Sequence, residues 1–317
     1  MNTTEKESSV SVAVVQAGSI PFDTDACVDK AVRLIHEAST AGAKVIVFPE
    51  AFIPGYPKGL NYGLVVGARD PAGREEFRLY LDAAIEVPGT QTRRLGEAAG
   101  SAGCYVVIGV IEREHATCYC TALFFSPEGE LLGKHRKLMP TALERMIWGF
   151  GDGSTLTVVD SPYGRIGSVI CWENYMPMMR MAMYSKNVAL YCAPTADDRD
   201  TWLASMQHIA LEGRCFVLTA CQFIRKGDFP DTVRVSLGDS RESILMRGGS
   251  AIIGPLGKVL AGPDYERETI LTATLDLNEI GRAKFDFDVV GHYSRPDIFK
   301  LVVNESPTSA VSSEPED

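Results

Sequence analysis

The chain reads as an α/β protein with mixed sheets and helices covering their outer faces, and three observations carry that reading. Short apolar runs of β type recur along nearly the whole length, segments of helical period lie between several of them, and the runs outnumber the helices. Hairpin signals at Ser126-Pro-Glu-Gly129 and Gly254-Pro-Leu-Gly257 join some of the runs as antiparallel pairs, so the sheets are mixed. With 317 residues, 45% of them hydrophobic, the chain can build a sizeable core. It shows no repeat and no internal linker, which predicts one domain over residues 10–303.

Taken in order, Val10 to Val15 is the first apolar run and Thr24 to Ala41 the first helical segment. Val45 to Phe48 is a strand ended by Pro49, which puts Glu50 where the strand emerges, just before the turn-rich Pro54 to Gly59. Helical period returns over Glu75 to Ala84 and Thr90 to Ala102; Tyr105 to Ile111 and Thr121 to Phe125 are strands, and a hairpin strand runs from Gly129 to Gly133. Lys134-His-Arg-Lys137 follows, and on its own reads as an exposed basic edge. Glu144 falls seven residues after Lys137, across Pro140, in a short Ala142 to Ile147 segment. Trp148 to Gly153 is glycine-rich but lacks the Gly-Lys-Ser/Thr ending of a phosphate loop. Beyond it come strands at Leu156 to Val159, Ile166 to Ile170, Val188 to Tyr191, Phe216 to Thr219, Ser250 to Ile253 and Ile270 to Leu275, with helices at Pro177 to Lys186, Asp200 to Gly213 and Leu277 to Phe285. Residues 1–9 read as a flexible start, and the acidic, Pro/Ser-rich stretch 304–317 as a disordered tail.

A formal charge of −10 with no Lys/Arg-rich block argues against a nucleic-acid or anionic-membrane partner and for a small or proteinaceous one. No apolar run approaches the roughly 18 residues of a membrane span. Met1 to Glu7 lacks the plan of a signal peptide, and eight cysteines without secretory features imply reduced thiols and a cytoplasmic protein. Cys118-Tyr-Cys120 has no nearby Cys/His pair to complete a metal set, and no cofactor motif is present, so neither metal nor cofactor is expected.

Cys171 is the most informative residue. The apolar run Arg165 to Ile170 delivers it to a turn that passes quickly into a helical segment, the kind of corner that exposes nucleophiles. Backbone N–H groups and the positive end of a following helix would favour a thiolate there. Trp172 reads as a pocket residue shaping the wall behind the thiol, Glu173 as a supporting or structural group, and His135 as a satisfied strand-edge residue. No histidine falls in a motif for a papain-like Cys/His pair. Met178, Met179, Met181 and Met183 read as helix packing in the core or at a subunit contact.

The Glu of Phe48-Pro-Glu50, the Lys of His135-Arg-Lys137 and the Cys of Ile170-Cys-Trp-Glu173 together resemble, in order and context, the Glu, Lys and Cys triad of the nitrilase superfamily. Cys-Trp-Glu is similar to the true nitrilase branch. Pro140 to Trp148, Ala193 to Asp197, His208 to Gly213 and Gly291 to Pro296 resemble that branch's plant-type members, whereas Lys226 to Glu242 looks like a variable region from which nothing is carried over. The resemblance implies an α-β-β-α sandwich and hydrolysis of an organic nitrile to acid and ammonia. Cys171 would be the nucleophile, Glu50 the general base, Lys137 the cation facing the developing charge, and Glu144 a second glutamate that holds Lys137 and positions substrate or water. Two carboxylates beside one ammonium should differ in pKa. The resemblance further implies a homodimer or larger spiral homo-oligomer, with β-cyanoalanine the leading substrate and aliphatic or arylaliphatic nitriles beside it. An amidase or carbamoylase using the same triad, or a catalytically idle assembly protein, are the alternatives.

Overall fold

The computed structural model describes residues 7–309 and 311. Its strands are β1 (Ser9–Gln16), β2 (Val45–Val47), β3 (Tyr105–Glu114), β4 (Thr117–Phe125), β5 (Leu131–Arg136), β6 (Val158–Val159), β7 (Arg165–Ser168), β8 (Val188–Thr195), β9 (Phe216–Cys221), β10 (Phe223–Arg225), β11 (Ile244–Arg247), β12 (Ala251–Ile253), β13 (Val259–Ala261) and β14 (Thr269–Asp276). The helices are α1 (Thr24–Thr40), α2 (Pro71–Ala83), α3 (Thr90–Ala102), α4 (Pro177–Ser185), α5 (Asp200–Gly213) and α6 (Asn278–Ala283).

Two six-stranded sheets form the centre, in the orders β14-β1-β2-β3-β4-β5 and β13-β12-β9-β8-β7-β6. In the first, β1, β2 and β3 run parallel while β14, β4 and β5 join antiparallel; in the second, β7, β8 and β9 are parallel and their flanks antiparallel. Alternation along each strand sends successive side chains to opposite faces, which makes four layers. Val12 and Val14 of β1 meet Leu190, Cys192 and Leu218 of the other sheet in the inner core. Ala13 and Val15 face the other way, onto Val28, Ile35 and Leu95 of α1 and α3. On the far side, Met183, Trp202 and Met206 of α4 and α5 cover Tyr191, Val217 and Ile253. The expected mixed sheets with outer helices, and the α-β-β-α sandwich implied by the resemblance, are both present.

Several boundaries move for local reasons. Helix α2 starts at Pro71, ahead of the expected Glu75, because the Asp70 side chain accepts from the Ala72 N–H and Pro71 suits a first helical turn. The strand expected from Leu156 is only Val158–Val159, since Asp152 caps a 3-10 turn at Gly153–Thr155 that ends at Leu156. Strands β10 and β11 pair around the variable-looking stretch, where their alternation is too short to read, and β13 completes the hairpin signalled by Gly254 to Gly257. Lys134 to Lys137 is not a solvated basic edge. Although β5 is an edge strand, Lys134 and Arg136 both donate to the buried Glu112, and Lys137 is buried. On α4, Met179 and Met183 face inward and Met178 is 70% exposed, so the first two are core and only the last is a surface probe. At the chain end, Thr308 N–H donates to Asp152 and Glu305 pairs with Lys186. Residues 1–6, 310 and 312–317 of the expected flexible start and tail lie outside the described residues.

One glycine decides where the end of β2 goes. A Cβ on Gly109 of β3 would sit 2.3 Å from the Pro49 carbonyl oxygen and 2.7 Å from Glu50 Cα, so only glycine lets the segment after β2 cross over β3. Gly109→Ala is therefore expected to lower the unfolding free energy in urea by about 1–3 kcal/mol, the range for overpacking. Gly281 in α6 has nothing within 4 Å of its Cβ position. Gly281→Ala, the control, should be neutral or stabilising by up to about 1 kcal/mol.

Candidate active site

Three loop entries from two sheets converge in the inner core. After β2 the chain keeps its register for one residue, the Phe48 N–H donating to the Val107 carbonyl at 2.8 Å, and then crosses β3 so that Phe52 N–H meets the Gly109 carbonyl. Ala51 adopts φ 48° at that bend, and Gln222 Nε2 donates to the Glu50 carbonyl at 3.0 Å. Lys137 directly follows β5, with its N–H on the Cys120 carbonyl and its carbonyl on the Gly151 N–H. Cys171 follows β7 at φ 49°, a left-handed conformation that costs a non-glycine residue of order 1 kcal/mol or more. Asn174 holds it there, donating through Nδ2 to the Cys171 and Val169 carbonyls at 2.8 and 2.9 Å. The expected corner has an extra step: a 3-10 turn, Cys171–Tyr175, comes first and α4 begins only at Pro177.

Lys137 Nζ donates to Glu50 Oε1 at 2.6 Å and to Glu144 Oε2 at 2.8 Å, and all three side chains are buried. Glu144 sits on a 3-10 turn, Ala142–Met146, and also accepts from the Thr141 N–H and the Tyr56 hydroxyl, both at 2.6 Å. The Trp148 ring lies 5.5 Å from Nζ and is met edge-on by Tyr56. Cys120 Sγ donates to Glu50 Oε1 at 3.5 Å, whereas Glu50 Oε2 is buried without a hydrogen-bond partner. On the other side, the Thr195 hydroxyl at the end of β8 donates to Cys171 Sγ at 3.3 Å.

The electrostatics follow from this burial. Desolvation pulls the Lys137 pKa down, but the charges of Glu50, Cys171 and Glu144 outweigh it, and the ammonium is held protonated. Desolvation also raises the Glu50 carboxyl; Lys137 pulls it back and Glu144 pushes it up again, leaving it above the ordinary range. Burial, then the Glu50 charge, push the Cys171 thiol upward, against the expectation of a thiolate. Burial and the nearby negative charge thus favour the protonated thiol, with the Glu50 carboxyl close enough to hydrogen-bond it.

A cavity of about 260 Å3 opens against this cluster, with Tyr56, Glu144, Lys58 and Leu143 in its wall. Trp172 does not pack behind the thiol as expected: it is 41% exposed, its Nε1 donates to Asp197 at 2.8 Å, and the Arg199 guanidinium stacks 5.0 Å over its ring. The left-handed turn at Cys171 swings the next side chain outward. Glu173 is buried and accepts from the N–H groups of Ile170 and Leu138, and His135 is wholly buried between Glu173 and the Thr155 carbonyl. Sequence reading missed Tyr56 and Thr195. Tyr56 stood in plain view in the turn-rich Pro54 to Gly59, yet nothing in sequence links it to a glutamate 88 residues away.

The carbon-nitrogen hydrolase family model matches residues 11–285. An aliphatic nitrilase of Sinorhizobium fredii is 62% identical over 299 residues, covering 94% of this chain and 97% of the relative. A bifunctional nitrilase/nitrile hydratase of Lupinus angustifolius is 57% identical over 96% of this chain and 88% of its own length, so the likeness extends to bacterial and plant relatives alike. Among solved structures, Saccharomyces cerevisiae Nit3, a member of branch 10 of the nitrilase superfamily, superposes with a TM-score of 0.69 at 22% identity, covering 92% of this chain and 99% of that one. With the family model spanning nearly all of the sandwich and close relatives spanning nearly all of the sequence, this chain belongs to the carbon-nitrogen hydrolase family, on the true nitrilase branch of the nitrilase superfamily.

Proposed function

We propose that this protein is a nitrilase that hydrolyses an organic nitrile to the carboxylic acid and ammonia, with Cys171 as nucleophile, Glu50 as general base, Lys137 as the stabilising cation and Glu144 as its support. The observation that carries the proposal is the buried Lys137 ammonium held between two carboxylates, one of which keeps a bare oxygen, Oε2, in the same core as the Cys171 thiol. As Sγ bonds to the nitrile carbon, the thiol proton passes to Glu50 and on to the nitrile nitrogen, giving a thioimidate. Lys137 faces the negative charge that grows on nitrogen during this step. Water then adds with Glu50 taking its proton, ammonia leaves to give a thioester, and a second water releases the acid and restores the thiol. If the tetrahedral intermediate expels sulfur instead, the product is the amide.

Aliphatic nitriles are the favoured substrate class, in keeping with the name of the Sinorhizobium fredii relative. β-Cyanoalanine heads the candidates, and arylaliphatic nitriles are the alternative. Trp172, next to Cys171 in sequence and fixed by Asp197 and Arg199, is proposed as a residue of the substrate pocket. Free thiols at all eight cysteines accord with a reducing cytoplasm, and among the described residues no helix is long and apolar enough to cross a membrane. The proposed assembly is a homodimer or larger spiral, formed through the outer face of α4 and α5, where Met178 and Leu211 are exposed.

A panel of nitriles assayed for ammonia, acid and amide tests the activity. Cys171→Ala should remove all turnover, and Lys137→Ala should cut kcat by at least about a hundredfold. Lys137→Ala should also destabilise the fold by about 3–5 kcal/mol, because it strands two buried carboxylates. Near-normal kcat in either variant would sink the mechanism.

The pH dependence has a definite sign. Glu50 works only when ionised and its pKa is raised, so kcat/KM should fall on acidification at a pH above the ordinary glutamate value of about 4.3. An acid limb at or below that value would reassign the base.

Met178→Asp should give smaller particles that remain folded by circular dichroism and turn over nitrile more slowly, whereas Met183→Asp should fail to fold because that side chain is core. Light scattering and assay on one sample check this; a fully active, folded Met178→Asp particle of unchanged size would refute the interface.

A further inference from the structure

His135 and Lys137 are two residues apart at the end of β5 and so share one face, toward the inner core, while Lys134 and Arg136 face Glu112. The His135 ring is fully buried, with Nδ1 3.0 Å from the Thr155 carbonyl oxygen and Nε2 3.0 Å from Glu173 Oε2. A carbonyl only accepts, so Nδ1 carries a hydrogen. Glu173 Oε1 receives the Leu138 N–H at 2.6 Å and Oε2 the Ile170 N–H at 2.9 Å. Two amide donors aimed at both oxygens favour the ionised carboxylate, and an ionised carboxylate at Oε2 requires a hydrogen on Nε2 as well.

The two backbone donors are the immediate neighbours of the reacting residues: Leu138 follows Lys137, and Ile170 precedes Cys171. They come from different sheets, since β5 edges one and β7 belongs to the other. One carboxylate therefore spans the joint across which Lys137 and Cys171 must meet. We propose that His135 is a doubly protonated imidazolium paired with Glu173, and that this buried pair is a positioning device that fixes the Lys137 end of β5 against the Cys171 corner. The inference rests on the assignment of Lys137 and Cys171 as reacting residues. Burial alone would pull the His135 pKa down; the Glu173 charge and hydrogen bond, with the Thr155 carbonyl, reverse that and leave it raised. Neither His135 nor Glu173 touches the reacting atoms. Their effect is on alignment, to which rates are steeply sensitive, a misplacement of about 1 Å costing on the order of a hundredfold.

Two measurements on the full-length enzyme decide it. In 15N-histidine-labelled wild type, assigned by loss of the signal in His135→Asn, solid-state NMR at about pH 7, just above the ordinary histidine pKa of about 6.5, should show both His135 ring nitrogens protonated. A bare ring nitrogen would overturn the ion pair, whatever the enzyme turns over. The second measurement is kinetic. Glu173→Gln keeps the shape but must turn an NH2 toward either Leu138 or Ile170, and kcat per alkylatable Cys171 thiol should fall at least about tenfold with KM changed less than about threefold. Glu173→Asp, which keeps the charge and shortens the reach, should lie between, and it carries the test if Glu173→Gln does not fold. A merely structural pair would lower thermal stability and the number of titratable thiols but leave kcat per thiol unchanged; that result would refute the positioning role. If wild type itself hydrolyses no nitrile, the functional reading fails while the ring protonation still stands or falls on its own.

Discussion

Everything in this molecule bends around one expensive interaction, the burial of the Lys137 ammonium between Glu50 and Glu144. An ammonium in a core costs several kcal/mol in lost hydration even after relaxation, and only close partners with their own hydrogen bonds offset it. Glu50 leaves β2 and Lys137 leaves β5, three strands apart, a distance of roughly 14 Å at the usual strand spacing. The gap closes because the chain after β2 crosses β3 at Gly109, which brings Glu50 to Cys120 of β4, the residue whose carbonyl receives the Lys137 N–H. Glu144 then arrives on a turn whose own backbone it caps, so its carboxylate is oriented before it meets the lysine.

The second sheet supplies what the first lacks. Cys171 lies three residues beyond β7 and Thr195 ends its neighbour β8, and their side chains meet at 3.3 Å. The environment that buries Lys137 also decides the state of the thiol: one ammonium faces two carboxylates, so the local excess charge is negative and burial works in the same direction. A standing thiolate is disfavoured. Under the roles proposed for Cys171 and Glu50, proton removal accompanies attack and the unpartnered Glu50 oxygen is where the proton goes; the helix-dipole argument for a preformed thiolate fails because a 3-10 turn stands between Cys171 and α4.

The fold was largely legible because its strands are long apolar runs and its helices keep period, as in β1, β3, α1, α3 and α5. Glu50 and Cys171 stand out because each follows an apolar run, whereas Lys137 follows the basic run Lys134 to Arg136 and is singled out only by the resemblance. Legibility failed where neighbours in space are distant in sequence. Nothing local says that Lys134 and Arg136 meet Glu112 across β4, that Tyr56 reaches Glu144, or that Trp172 is turned outward by the backbone at Cys171. The methionines of α4 failed differently: with four of them in six residues, composition cannot say which face is buried until the sheet beneath is known.

Stability and reactivity are drawn from the same atoms here. Glu50 Oε2 is a buried acceptor without a partner, a liability in any core, and filling it with a donor would make a firmer protein. It would also remove the place to which a thiol proton can go. The left-handed φ at Cys171 is a second liability of the same kind, tolerated because Asn174 holds the Val169 and Cys171 carbonyls and the Glu173 carboxylate holds the Ile170 N–H. Substitutions that relieve either strain should therefore be sought in vain among active forms of this chain: the core is less stable than its packing allows at the points where a proton and a sulfur have to move.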